Sequence, residues 1–399
     1  MRSPESRLCP AEEVRTGLAR DSRQAPQPFS GGGRAACRAA GGPHEGRSMP
    51  FPDLNPDPDF ERLEKVFARG LPDRVPFIEL FLDEPVMEAI REAPFSADSA
   101  ARWKEMADLF YRLGYDYVPC RTEFALPYTS LEAEDTAALS SGTRGWVDEN
   151  RGAIETWDDF EQYPWPTVEE RHYRPLEHAT AALPEGMKLL PHGPGGVLEN
   201  VMWLMGYSPM CYAIADQPDL VRAMFDRVGE LLLGIFDTLA GHEGVGAVFL
   251  GDDMGFKTQT MISPEALRQW VFPWQRRLAE AVHAHGKPFL LHSCGNLESV
   301  MEDLIEDVGI DAKHSFEDVI MPIEEVKRRW GSRLALLGGI DMDLLCRGTP
   351  DQVRHRTAEV IEACMPGGGF AVGSGNTVAN YVPLENYFAM LEETRRVGV

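Results

Sequence analysis

No uninterrupted apolar run in this sequence approaches the roughly 18 residues that a membrane-spanning helix needs. Leu231–Leu239 is apolar, but Gly234 and Asp237 break it, so it reads as part of a buried helix. Basic residues are scarce: 39 Lys and Arg stand against 63 Asp and Glu, for a formal net charge of -24. Residues 1–48 hold eight Arg against five acidic residues, a net of +3, which leaves -27 on residues 49–399. So acidic a body repels nucleic acid and anionic membrane, and it disfavours strongly anionic substrates unless pocket arginines override it. Cysteine is sparse and unpatterned. The seven residues, Cys9, Cys37, Cys120, Cys211, Cys294, Cys346 and Cys364, are odd in number and irregularly spaced. That excludes a disulfide framework and points to a reducing cytoplasm.

Several catalytic signatures are also missing. The sequence has no GxSxG elbow, no GxxxxGK[ST] phosphate loop and no HExxH zinc helix, which argues against the chemistries those motifs serve. No GxGxxG follows the first strand pattern, against the runner-up architecture of an open doubly wound sheet.

What is present is a long, ordinary globular composition, 399 residues with 43% hydrophobic and 26% charged, enough to bury a large core. Residues 1–48 are rich in Arg, Gly, Pro and Ala and lack hydrophobic periodicity. They lack the 7–15-residue apolar stretch of a secretory signal, and their five acids do not suit a mitochondrial one. The expectation is a disordered extension ahead of a domain over residues 49–399, with Met49 the functional start. From residue 60 short apolar runs alternate with helical patterns. Candidate strands are Val75–Phe81, Tyr115–Cys120, Lys188–His192, Ala247–Leu250, Pro288–His292, Asp311–Ser315, Leu334–Gly338 and Phe370–Val372. Eight such units predict an α/β protein, a TIM-type (β/α)8 barrel. The excess over a minimal barrel falls in an irregular, Trp- and Pro-rich insertion around residues 123–185. Helix starts are marked by Ser208-Pro209, Ser263-Pro264-Glu265 and Thr349-Pro350-Asp351, and more weakly by Gln217-Pro218, Met321-Pro322 and Val382-Pro383, since Pro is tolerated in a first turn and Ser or Thr caps it.

In such a barrel the polar residues just past the strand ends carry the chemistry. The fifth strand runs Phe289-Leu290-Leu291-His292-Ser293-Cys294. Residues i and i+2 of an extended strand share a side, so His292 and Cys294 can meet one Zn²⁺, or form a buried Cys beside a hydrogen-bonded His. After the fourth strand, Asp252 and Asp253 offer a metal ligand, a general base or a substrate anchor, with Lys257 nearby as a substrate contact; an Asx turn or helix cap is the alternative. His314 and Glu317 after the sixth strand are candidate catalytic groups, His314 also a candidate ligand or a satisfied core histidine. Glu79, His192, Asp341 and Asn376 stand at four further strand ends as candidate substrate contacts. Structural hydrogen bonding is the alternative for Glu79 and His192, and helix capping for Asp341. The Gly373-Ser374-Gly375 turn is a candidate anion cradle.

Taken together, these pieces resemble the uroporphyrinogen decarboxylase superfamily. The resemblance rests on Pro72-Asp73-Arg74-Val75-Pro76, Gly114-Tyr115-Asp116-Tyr117, Gly251-Asp252-Asp253-Met254-Gly255 with Ile262-Ser263-Pro264-Glu265, His292-Ser293-Cys294-Gly295, and Gly338-Gly339-Ile340-Asp341. It covers roughly Pro72 to Val399. It implies one of two chemistries. Cofactor-free decarboxylases of haem synthesis place arginines after the first strand and a His after the last; here the first is acidic, Glu79-Leu80-Phe81-Leu82-Asp83-Glu84, and the second is Ser374-Gly375-Asn376. Zinc-dependent methyl transfer between a corrinoid and a thiol matches His292 and Cys294 as its first two ligands. Its third, a Cys after the last strand, is missing. Cys364 lies upstream, and Asp253, His314, Glu79 or Cys120 are candidate replacements.

The leading expectation is therefore a cytoplasmic, zinc-dependent methyltransferase acting on a small molecule, with a corrinoid as co-substrate or a corrinoid protein as partner, and as a homodimer. Decarboxylation of uroporphyrinogen or another carboxylate is the second reading. A non-catalytic tetrapyrrole or corrinoid carrier is the third. A chain begun at Met49 is expected to melt at the same temperature as the full chain, checked by circular dichroism. Loss of folding would show that residues 1–48 belong to the domain.

Overall fold

The computed structural model describes residues 51–398 apart from Asp53, Ala138 and Ser141. The extension expected over residues 1–48, and the start at Met49, lie outside the described residues. In chain order the strands are β1 (Tyr117–Arg121), β2 (Ser130–Glu134), β3 (Thr143–Val147), β4 (Lys188–His192), β5 (Val248–Gly251), β6 (Phe289–His292), β7 (Ala312–His314), β8 (Ala335–Leu337) and β9 (Phe370–Ala371). β2 and β3 pair as an antiparallel hairpin, and the other seven form one parallel sheet in the order β1-β4-β5-β6-β7-β8-β9. Strand order equals chain order, the winding of a barrel of βα units. The strands read as continuous apolar runs because helices cover their outer face; Val248, Phe249, Leu250, Phe289, Leu290 and Leu291 are all buried.

The Val75–Phe81 segment completes the ring but is not a regular strand. It meets β9 through a parallel bridge, Phe77 to Val372. Ile78 N donates to Val372 O at 2.9 Å, and Val372 N donates to Pro76 O at 3.0 Å. Toward β1 no ladder forms among the described residues, and a side chain takes its place. The Tyr117 hydroxyl accepts from Glu79 N at 2.8 Å and donates to Glu79 O at 2.7 Å. Pro76 has no N–H to offer a ladder, and one buried phenol satisfies both main-chain groups of Glu79 instead.

The stretch read as an irregular insertion contains the β2–β3 hairpin, a helix at Trp157–Gln162 capped by Thr156, a 3-10 turn at Glu170–Tyr173 and a helix at Arg174–Ala181. The hairpin escaped the sequence reading because every β2 residue is exposed, so no apolar alternation marks it. Two helix starts are capped as expected: Ser263 Oγ accepts from Ala266 N at 3.2 Å, and Thr349 Oγ1 from Gln352 N at 3.3 Å. The start expected at Ser208-Pro209 is corrected. That helix spans Tyr207–Asp216 and begins after Gly206, and Ser208 N donates to Glu149 O at 3.0 Å instead of being capped by its own side chain. Leu231–Leu239 lies within the helix Pro218–Gly241, with Leu232, Ile235, Phe236 and Leu239 buried. Among the described residues no helix is long and apolar enough to cross a membrane.

Tyr117→Phe leaves two buried main-chain groups of Glu79 unpaired. It is expected to lower unfolding free energy by about 1–3 kcal/mol, measured by urea denaturation against wild type.

Candidate metal centre

Parallel register decides which strand-end residues become neighbours. Gly251 of β5 pairs with His292 of β6, and His292 pairs with His314 of β7. The loops leaving these strands then turn inward together. Gly295 takes a positive φ of 82°, and a Cβ there would fall 2.1 Å from Gly255 O, so only glycine lets the loops after β5 and β6 touch. The result is a cluster of Asp253, His292 and Cys294, whose ligand atoms all lie within 4.8 Å of one another. It is the one group of that kind among the described residues.

The donor set can be tested against a zinc ion. Bonds of about 2.0–2.1 Å to nitrogen or oxygen and about 2.3 Å to sulfur, at tetrahedral angles, need N···S near ~3.6 Å and N···O near ~3.3 Å. His292 Nε2 lies 3.5 Å from Cys294 Sγ and 3.7 Å from Asp253 Oδ1. The cluster fits with a small closing movement of the carboxylate. Burial holds the His292 imidazole below its ordinary pKa, so it is neutral, as a ligand must be. Burial, followed by the nearby Asp253, pushes the Cys294 thiol up to about 12; an unassisted thiolate does not form there.

Cys294 is surrounded by donors. Asn376 Nδ2 donates to its sulfur at 3.0 Å and Ser315 Oγ at 3.4 Å. Its own N–H donates to Asp253 Oδ1 at 2.7 Å. Ser315 sits at φ 81°, a conformation costing a non-glycine residue of order 1–3 kcal/mol. The strain is held by Lys313, whose buried ammonium donates to Ser315 O at 2.7 Å, Ser293 O at 3.1 Å and His314 O at 3.3 Å. Burial lowers this lysine to about 8. It therefore ties the β6 and β7 loops around the sulfur.

The neighbouring acids divide their work. Both Asp252 oxygens are occupied: Oδ2 accepts from Val197 N (3.0 Å), Leu198 N (3.3 Å) and Gln275 Nε2 (2.7 Å), and Oδ1 from Glu199 N (3.0 Å). The residue expected as a catalytic acid thus caps a different helix, Val197–Met205, and it is fully buried with both oxygens engaged. Asp341 is likewise a brace, with Oδ2 accepting from Asp318 N at 2.9 Å and Oδ1 from Asp343 N at 2.7 Å. Glu317 is placed with Lys313, Phe316 and Trp330 in a cavity of about 40 Å³, outside the Asp253–His292–Cys294 group. Lys257 is exposed.

His314 presents Nδ1 to His292 Nδ1 at 2.7 Å and is fully buried. His192 is half-buried at the end of β4, beside Phe81, and burial lowers it to about 4. Of the alternative third ligands, Cys120 bonds Arg121 O at 3.8 Å and Glu79 bonds Ser374; neither joins the cluster. Sequence reading missed Glu199, Ser315 and Lys313, while Ser374 of the candidate anion cradle meets an anion of the chain itself, the Glu79 carboxyl. Lys313 did leave a signal, a lone cation at the centre of a candidate strand, Asp311–Ser315. Glu199 follows the Gly195-Gly196 turn, and burial, then Asp253 and Asp252, raise its pKa.

A family model described as "Uroporphyrinogen decarboxylase (URO-D)" matches residues 189–397, the span from β4 to the last helix that supplies every residue of the cluster. The chain belongs to the URO-D family. Among URO-D relatives, the "Methylated-thiol--coenzyme M methyltransferase" of Methanosarcina mazei is 29% identical over 197 residues, 49% of this chain and 50% of that protein. The "Uroporphyrinogen decarboxylase" of Anaeromyxobacter dehalogenans is 23% identical over 200 residues, 48% of this chain and 53% of that one. The chain spans about half the length of the curated relatives it matches. A solved structure, "methyltransferase from Methanosarcina mazei", superposes with a TM-score of 0.63 at 18% identity over 84% of this chain and 97% of that one, which supports the URO-D barrel fold.

Glu79 gives a pH test. It is fully buried; Ser374 N donates to Oε1 at 2.7 Å and Ser374 Oγ to Oε2. Burial outweighs those donors and raises the carboxyl to about 8. The folded chain therefore keeps a proton that the unfolded chain has released, and stability falls as pH rises between the unfolded value and about 8. Glu79→Gln removes this term. Denaturant midpoints of wild type are expected to fall relative to Glu79→Gln across that window and to run parallel above it.

Proposed function

We propose that this chain is an enzyme that moves a methyl group between a corrinoid or a methylated small molecule and a thiol or corrinoid acceptor. A zinc site on His292, Cys294 and Asp253 would serve that reaction. The observation that carries this is the cluster itself, a neutral imidazole, a cysteine sulfur and a carboxylate within 4.8 Å at the strand ends. Zinc bound there would supply the positive charge that makes a thiol ionise at neutral pH.

The remaining work falls to the chain. Asn376 and Ser315 donate to the Cys294 sulfur, so its negative charge is spread over two donors. Lys313 keeps both loops in place and adds a cation nearby. Glu199 lies beside Asp253, and its raised pKa lets it hold a proton next to the centre. Asp252 fixes the helix that carries Glu199. The half-buried His192 packs against Phe81 at the end of β4. The methylated-thiol relative supports the substrate class. Decarboxylation makes no use of a His-x-Cys pair with a third ligand, and for that reason stands second. The five described cysteines are free, which suits the reducing cytoplasm the reading places it in.

Purified protein is expected to carry about one zinc per chain by elemental analysis. His292→Ala and Cys294→Ala are expected to lose it, and Asp253→Ala to weaken it at least as much as the ~10–100-fold that loss of an outer-shell partner costs. With methylcobalamin and a panel of thiols, the alanine variants at 292 and 294 should lose turnover, while uroporphyrinogen should give no coproporphyrinogen. Zinc-free wild-type protein that still transfers methyl would overturn the reading.

A further inference from the structure

The two histidines inside the barrel mouth are bonded through the same kind of atom. His292 Nδ1 and His314 Nδ1 are 2.7 Å apart, and both rings are buried, at 5% and 0% exposure. A contact that short between two nitrogens needs one proton between them, not two and not none. Each neutral imidazole carries one proton, so the tautomers of the two rings are locked together. In one arrangement His292 holds its proton on Nδ1 and gives it to His314. Its Nε2 is then bare and faces Cys294 Sγ and Asp253 Oδ1. In the other, His314 donates, and the His292 proton sits on Nε2, between ring and ligands, where it blocks a metal.

We propose that His314 is the positioning residue of this centre: it accepts the His292 Nδ1 proton, so that loading a metal and the tautomers of both rings form a single equilibrium. This rests on the metal-centre reading above. The far nitrogen of His314 shows where the second proton goes. His314 Nε2 is buried and faces the Ser374 main chain, and buried polar atoms are rarely left unpaired. It lies beside Gly338, whose φ is 94°; a Cβ there would stand 3.2 Å from His314 Nε2 and 2.5 Å from Ser374 O. The bare glycine leaves the Ser374 carbonyl open to that edge of the ring. Metal loading puts the His314 proton on Nε2, facing this carbonyl.

Ser374 in turn donates its N–H and hydroxyl to Glu79. A continuous buried line therefore runs from the first barrel segment through β9 and β7 to the ligand on β6. The usual orienting partner of a metal-bound histidine is a carboxylate or a main-chain carbonyl. Here a second histidine does that work. Being neutral, it leaves the net charge of the centre to Cys294 and Asp253.

Zinc affinity by chelator competition tests this, with ¹⁵N NMR of the histidine rings as the second readout. His314→Leu leaves the His292 proton without an acceptor and is expected to weaken zinc binding ~10–100-fold. His314→Asn offers an amide oxygen near the position of Nδ1 and is expected to restore most of it. In wild type, zinc should move the His314 proton to Nε2. Zinc binding by His314→Leu equal to wild type, or a loaded protein with the His314 proton on Nδ1, would overturn the inference and leave the metal centre standing. No zinc uptake by wild type would remove both. Should the leucine variant not fold, the NMR readout on wild type decides alone.

Discussion

Parallel pairing of β5, β6 and β7 is the constraint on which the rest of this molecule depends. The ladder sets Gly251, His292 and His314 side by side at one level. A slip of one residue would turn His292 out of the barrel and Leu291 into it. That slip would strip the buried His292 and Lys313 of their hydrogen-bond partners, and unpaired buried polar groups are costly. Register therefore does chemical work: it fixes the two imidazoles within one hydrogen bond, and it launches the following loops from neighbouring points.

Beyond the strands, the centre is held by groups that never touch it. Lys313 gathers three main-chain carbonyls and keeps Ser315 in a left-handed conformation. Asp252 takes three N–H groups of one helix start and an amide from another helix. Buried charges of this kind are stabilising only when every partner is in place, and both meet that condition. The sequence Asp252-Asp253 thus gives one carboxylate to architecture and the next to the cluster, as alternation along an extended chain requires.

The barrel and the His292–Cys294 pair were legible in the sequence because each is a local pattern: apolar runs at βα spacing, and two ligand types two residues apart at a strand end. Which acid joins them was not legible. That choice depends on the helix Val197–Met205, some fifty residues earlier, which claims Asp252 and leaves Asp253. The role of His314 was hidden for the same reason, since it is defined by a ring across the ladder. Asn376 read as a candidate substrate contact; its bond to the Cys294 sulfur is made only when the last strand closes the barrel. The first strand of the β2–β3 hairpin, exposed along its length, had no periodicity to read.

One seam of the ring is stitched differently from the others. Between β6 and β7 the walls are joined by a run of main-chain bonds, but between the first segment and β1 the stitches are those of a single phenol, Tyr117. Breathing of the barrel is therefore directional. Parting that seam breaks the two Tyr117 bonds and the neighbouring Arg74–Asp116 ion pair, whereas parting any laddered seam breaks the sheet. In this barrel one seam is held by side chains, and the histidine pair sits at a laddered one.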